Sequence, residues 1–228
     1  MNEIQSFLDN NKTKQVIAVQ GLGFVGSVMS MVCANAINGD YAVIGVDRDN
    51  EQGNDIINKL NKGEFPLKAE DPEIDELLSR AISNGNLLAT NKFEAFQYAD
   101  IIIVDINLDV DKNNDQKGNL IHYDVNLDLF KSAIKTIGNN CKENSLIIIE
   151  TTVPPGTCEK IVKPLIIKCL KNRKLSIEKI KIGHSYERVM PGPNYVDSIR
   201  NFYRVFSGID KKSEDAVESF LKTIIQID

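Results

Sequence analysis

The chain has 228 residues, 42% hydrophobic and 26% charged, enough for one large α/β domain or one domain and the start of another. A net charge of -5 leaves a nucleic-acid role without electrostatic support. No apolar run approaches the ~20 residues that span a bilayer, and the opening MNEIQSFLDNNKTK holds no signal-peptide core, so the protein is expected in the cytoplasm, off the membrane. Cys33, Cys141, Cys158 and Cys169 form no CxxC pair, and with only His122 and His184 beside them no metal site is expected. They read as reduced thiols.

Residues 16–20 (VIAVQ) predict a short buried strand and residues 24–37 a helix with Val25, Val28, Met29, Val32 and Cys33 on one face. Between them Gly21, Gly23 and Gly26 make G-x-G-x-x-G. The first glycine suits a tight turn, the second lets backbone approach a pyrophosphate, and the third lets helix pack close to strand. The helix start adds free N–H groups and a partial positive charge. Residues 41–46 (YAVIGV) predict a second strand, and Asp47 follows it, about 20 residues beyond Gly26. A carboxylate there accepts from ribose hydroxyls and repels a 2′-phosphate, so NAD is expected rather than NADP. Arg48 beside it is a cation that would tolerate a phosphate.

Residues 51–62 and 72–83 predict helices, the second with Ile74, Leu77, Leu78 and Ala81 at helical spacing. Residues 86–89 suggest a short strand, 93–98 a brief helix, and 100–104 (DIIIV) a buried strand. Residues 110–118 (VDKNNDQKG) read as a polar loop and 126–137 as a helix. Residues 145–149 (SLIII) predict the next strand, and ETTVPPGT (150–157) leads from it into a helix over 158–170. In open α/β sheets ligands bind outside the carboxyl ends of strands, so Thr151 and Thr152 are expected to face a crevice. Residues 180–183 suggest a strand, 184–195 a loop, 205–207 a last strand and 213–225 a last helix. The alternation implies an α/β fold, a Rossmann-like, doubly wound, mostly parallel sheet with helices on both faces. Residues 1–14 read as a polar N-terminal extension and 15–228 as one dinucleotide-binding domain.

GLGFVG (21–26), VIGVDRDN (43–50), INKLNKGEFPL (57–67), ETTVPPGT (150–157), SYERVMPGP (185–193) and SGID (207–210) occur in an order and spacing that resemble the UDP-glucose/GDP-mannose dehydrogenase family. The branch is similar to the UDP-N-acetylmannosamine and UDP-N-acetyl-hexosamine dehydrogenases, and the resemblance covers nearly all of the chain from Lys14. It implies the NAD-binding portion of a nucleotide-sugar 6-dehydrogenase. Such enzymes oxidise the C6 alcohol of a UDP-sugar to a carboxylate in a four-electron reaction, through a cysteine thioester that water hydrolyses. Carried onto this chain, the resemblance assigns Gly21, Gly23, Gly26 and the backbone of Phe24 and Val25 to the pyrophosphate. Asp47, with Arg48 beside it, goes to the ribose. Asn107 is expected at the cofactor, and Thr152 at both NAD and the catalytic water. Glu187 is linked to water activation, and Glu187, Arg188 and Val189 line the sugar-nucleotide site. Plainer readings stand beside these. Thr152 also suits a helix cap, Glu187 a solvated loop acid, and Arg188 a surface ion pair. His184 reads as structural, His122 as surface, and Tyr98 and Tyr123 as packing residues.

Three departures bear on function. The family's V-x-T-P loop after the fourth strand is here Val104-Asp105-Ile106-Asn107-Leu108-Asp109, with Leu108 and Asp109 replacing Thr-Pro. Tyr186 stands where a proline usually precedes the glutamate. The family's catalytic cysteine, in a G-G-x-C segment, and its substrate lysine and asparagine are expected beyond residue 228, as is the central helix through which members dimerise. The chain alone is therefore expected to be inactive. Cys158, near a helix start that would favour a thiolate, reads as structural. The alternative functions are a catalytically silent NAD-binding regulatory or split-enzyme module, and a β-hydroxyacid dehydrogenase, which shares the first domain without the other motifs.

Overall fold

The computed structural model describes residues 2–108, 110–186, 189 and 192–226. Its strands are β1 (Gln15–Gln20), β2 (Tyr41–Val46), β3 (Leu87–Thr90), β4 (Ile101–Val104), β5 (Val110–Asn114), β6 (Leu120–Val125), β7 (Leu146–Ile149), β8 (Lys181–His184) and β9 (Ser207–Gly208). Seven make one sheet in the order β3-β2-β1-β4-β7-β8-β9, parallel except for the β8–β9 pair, and β5–β6 form a separate antiparallel ribbon. The helices are α1 (Glu3–Asn10), α2 (Phe24–Ala34), α3 (Glu51–Asn61), α4 (Glu73–Ser83), α5 (Asp128–Asn140), α6 (Lys163–Asn172), α7 (Tyr195–Arg200) and α8 (Lys211–Ile224).

The central strands carry near-continuous apolar runs, broken only by Gln15 and Gln20 at the ends of β1, because both faces of the sheet are covered. Their side chains alternate between two cores. Ile17, Val19, Ile101, Ile103, Leu146 and Ile148 pack with α2, α3, α4, α7 and α8. Val16, Ala18, Ile102, Val104, Ile147 and Ile149 pack with α1, α5, α6 and the short 3-10 turn at Phe93–Gln97. Each fully buried Ile or Val of these strands contributes about 1.5–3 kcal/mol from loss of water contact. The expected doubly wound sheet is present. No helix among the described residues is long and apolar enough to cross a membrane.

Several local expectations are corrected. The polar N-terminal run holds a helix, α1, capped by the Asn2 side chain, which accepts from Ile4 N at 3.2 Å. Its Ile4 is buried and its Phe7 and Leu8 lean on the second core, so one apolar stripe in a polar segment suffices to dock it. Residues 110–118, expected as a polar loop, supply β5 and the turn of the β5–β6 ribbon. The Asp115 carboxylate accepts from Lys117 N and Asn119 N at 2.8 Å each and closes its turn, with Gly118 at φ 83°. The loop expected over 184–195 is followed by an unexpected helix, α7, anchored by Asp71, which accepts from Val196 N at 2.8 Å. The helix after ETTVPPGT opens as a π turn, Cys158–Val162, ahead of Pro164. The last strand is Ser207–Gly208 rather than 205–207, and α8 begins at Lys211, where the Asp210 side chain accepts from Ser213 N at 2.7 Å.

Candidate functional site

With the ribbon set aside, the strand order matches the doubly wound dinucleotide fold, and the chain reverses direction of progress between β1 and β4. The loops leaving those two strands flank the crevice. Gly21 has φ 93°, and a side chain there would put its Cβ 2.3 Å from the Asp105 carbonyl oxygen. At Gly26 an added Cβ would lie 1.9 Å from the Gly21 carbonyl oxygen. Gly23 differs from both: among the described residues, nothing lies within 4 Å of where its Cβ would be. It is also the N-cap of α2 and offers no side-chain cap to the first-turn N–H groups.

Neighbouring residues hold this turn rigid. Asp47, 9% exposed at the end of β2, accepts from Leu22 N at 2.7 Å and from Arg48 N at 2.6 Å. Both bonds leave lone pairs on the carboxylate. Ser27 Oγ donates to the Leu22 carbonyl at 2.7 Å. Phe24, half-buried like Val25, stacks on Tyr195 with ring centroids 4.6 Å apart, and the Tyr195 hydroxyl donates to the Phe24 carbonyl. Arg48 is exposed.

The second flank is the loop after β4. Asp105 N donates to Gln20 O at 2.8 Å, tying this loop to the end of β1. Ile106 and Leu108 pack against the second core, while Asn107 is exposed. Beyond β7, the two threonines divide. Thr151 is buried, its hydroxyl accepting from Ile106 N at 2.8 Å. Thr152 is exposed beside the crevice. It does not cap the following helical turn, whose N-cap is Thr157. Glu150, before them, forms an ion pair with Arg204 at 2.7 Å in which the side chains are 3% and 1% exposed. His184 Nε2 lies 3.4 Å from the Thr151 carbonyl, and burial pushes the imidazole pKa down. Glu187, Arg188 and Asp109 lie outside the described residues. Val189, expected on the substrate side, is half-buried and packs against the first core. His122 is exposed and Tyr98 packs on the second core, as their plainer readings have it.

An open, uncapped helix start, a turn that excludes side chains, and a carboxylate at the end of the second strand fit a dinucleotide. Residues 15–225 match the NAD binding domain of the UDP-glucose/GDP-mannose dehydrogenase family. The chain belongs to this family. NAD is accordingly its cofactor. The UDP-N-acetyl-D-mannosamine dehydrogenase of Methanococcus aeolicus is 33% identical over 222 residues, 96% of this chain and 44% of that protein. The Pyrococcus horikoshii protein of the same name is 27% identical over 210 residues, 92% of this chain and 45% of its own length. The crystal structure of NDP-N-acetyl-D-galactosaminuronic acid dehydrogenase from Methanosarcina mazei superposes with a TM-score of 0.80 at 25% identity, covering 99% of this chain and 45% of that one. The chain thus spans less than half the length of these relatives.

Against the family pattern, Leu108 packs on the core rather than replacing the threonine's hydrogen bond, and among the described residues of that loop Asn107 is exposed. None of the four thiols is set up as a nucleophile. Cys33 and Cys141 are buried and Cys169 nearly so, and burial pushes Cys158 up to about 11, which outweighs any help from the helix start. Tyr195 and Arg204 went unread in the sequence. Tyr203 and Val205 are 77% and 61% exposed while the Arg204 side chain between them is buried, an arrangement that the residue types do not announce.

Proposed function

We propose that these residues form the NAD-binding portion of a nucleotide-sugar 6-dehydrogenase that oxidises the C6 alcohol of a UDP-sugar to the uronic acid. The observation that carries the reading is the open space over Gly23 between two side-chain-excluding glycines, at the start of α2. In this reading the amides of Phe24, Val25 and Gly26 hold the pyrophosphate, with Gly21 shaping the turn. Asp47 accepts from the adenosine ribose through its remaining lone pairs, with Arg48 at the rim. Asn107 reaches the cofactor from the opposite flank. Thr152, exposed at the end of β7, offers a hydroxyl to the cofactor and to a water. Glu187 is assigned to activating that water, and Arg188 and Val189 to the sugar nucleotide. Bound NAD supplies the hydride acceptor. The thioester cysteine is assigned outside these 228 residues, because Cys33, Cys141 and Cys169 are buried and burial raises the pKa of all four thiols.

Calorimetry with NAD, and NADH absorbance with UDP-N-acetyl-hexosamines, test the reading. Binding of NAD without turnover by these residues alone is expected. Robust turnover would overturn the assignment of the cysteine elsewhere, and absence of NAD binding would overturn the whole reading. The exposed Asn107 and core-facing Leu108 favour one other reading, a silent NAD binder; turnover on supplying the missing family segments would rule it out.

A second expectation concerns Asp47. Replacing it by Asn leaves one acceptor oxygen where two now hold Leu22 N and Arg48 N. NAD affinity should fall about tenfold, ~1.4 kcal/mol, and the preference for NAD over NADP should narrow because the repelling charge is gone. Unchanged cofactor preference in a titration of both dinucleotides would show that Asp47 does not face the ribose.

A further inference from the structure

We propose that Thr151 is a positioning residue for the cofactor, acting through the loop after β4. Its role differs from that of Thr152: it meets the loop, not the ligand. The hydroxyl accepts from Ile106 N at 2.8 Å, and its single proton is shared between the carbonyls of Ile106 at 3.0 Å and Val104 at 3.1 Å. Backbone bonds reinforce the clasp, since the amides of Glu150 and Thr151 both donate to Val104 O at 3.0 Å. The end of β7 therefore grips the loop on both sides of Asp105.

Asp105 carries the constraint onward. Its carbonyl oxygen lies where any Cβ on Gly21 would clash, 2.3 Å away, and its Cβ would sit 3.2 Å from one on Gly26. Its amide donates to Gln20 O at 2.8 Å, one residue before the turn. The β4 loop is thus in backbone contact with the glycine turn, and a shift at Ile106 is transmitted to it. The same clasp fixes Asn107, one residue further on. Thr151 couples three strand ends, β7, β4 and β1, and sets both flanks of the crevice at once. It remains 8% exposed, so direct ligand contact is not its means of action.

The sequence of this loop gives the coupling more to do. With Leu108 and Asp109 in place of Thr-Pro, the loop lacks the proline that would stiffen it. An external tie from the neighbouring strand supplies the rigidity instead.

The test compares four variants of the whole chain by NAD calorimetry, hydrogen exchange of the Ile106 amide in the unliganded protein, and thermal denaturation. Thr151→Val and Thr151→Ala both remove the hydroxyl, and either suffices if the other does not fold. They should weaken NAD binding about tenfold and speed Ile106 exchange by a similar factor. Thr151→Ser keeps the hydroxyl and should stay within about twofold of the parent on both readings. Ser145→Ala is the control. Ser145 lies just before the other end of β7, fully buried, and donates to Ala99 O at 2.9 Å, far from the crevice along the strand. It should lower the denaturation midpoint while NAD affinity and Ile106 exchange hold. Unaltered NAD affinity in the Val and Ala variants would overturn the proposal, as would an equal loss in Ser145→Ala.

Discussion

Replacing Gly23 by alanine is expected to leave stability within about 0.5 kcal/mol of the parent yet weaken NAD binding about a hundredfold, ~2.7 kcal/mol. The Gly23 backbone, at φ -69° and ψ -158°, is extended and open to any residue. No atom of the described residues lies within 4 Å of the new methyl, so the cost to the unliganded fold is the small one of alanine at an N-cap. The methyl would, however, fill the space over the first turn of α2 that a pyrophosphate needs. Gly26→Ala provides the contrast. Its methyl would meet the Gly21 carbonyl oxygen at 1.9 Å, and a backbone atom cannot swing aside. It should cost about 1–3 kcal/mol or more in stability and lose NAD binding as well. Chemical denaturation and calorimetry on both variants separate the two roles. Gly23→Ala with full NAD affinity would mean that the phosphates do not lie over this turn.

How much of this was legible beforehand follows from which forces act locally. The strands were readable because a parallel sheet covered on both faces demands uninterrupted apolar runs, and DIIIV and SLIII leave little alternative. The glycine turn was readable because its spacing is dictated by close backbone contacts, now visible between Gly26 and Gly21 and between Gly21 and Asp105. The β5–β6 ribbon was not. Its residues VDKNN lack an apolar alternation, and pairing depends on the Asp115 turn and on a partner strand. α7 was missed for a similar reason: six residues are too few for a periodicity, and its position rests on Asp71, more than 120 residues away in sequence.

The site was legible in residue type and only partly in role. ETTVPPGT announced a strand end with two hydroxyls, but nothing in the order Thr-Thr says which turns inward. Period two in an extended chain requires one of them to do so, and the structure buries Thr151. Leu108 looked like a lost hydrogen bond at the cofactor; seen with its neighbours, it is a residue packed against the second core. The Glu150–Arg204 pair was invisible because a charged side chain between Tyr203 and Val205 reads as a solvated one.

Arg204→Met is accordingly expected to be among the most damaging single changes, with a loss of about 3–5 kcal/mol in chemical denaturation. That is a large share of the ~5–15 kcal/mol that a domain commonly has. The cost arises from what remains, a Glu150 carboxylate almost wholly out of water and deprived of its guanidinium. It does not arise from any large net stabilisation by the pair. Arg204 keeps its Nε and Nη2 buried with no hydrogen-bond partner among the described residues, so much of its desolvation is left uncompensated there. The double variant Glu150→Met, Arg204→Met should therefore recover most of the loss, since two apolar side chains of similar length fill the same space without charge. A double variant as unstable as the single one would show that Arg204 is needed for its own contacts. Arg204→Lys should fall between, because an ammonium restores the charge but not the planar fork. Recovery of stability in the double variant need not bring back NAD affinity: the pair anchors the residue before Thr151 to the segment entering β9, and methionines would restore packing there without fixing its direction.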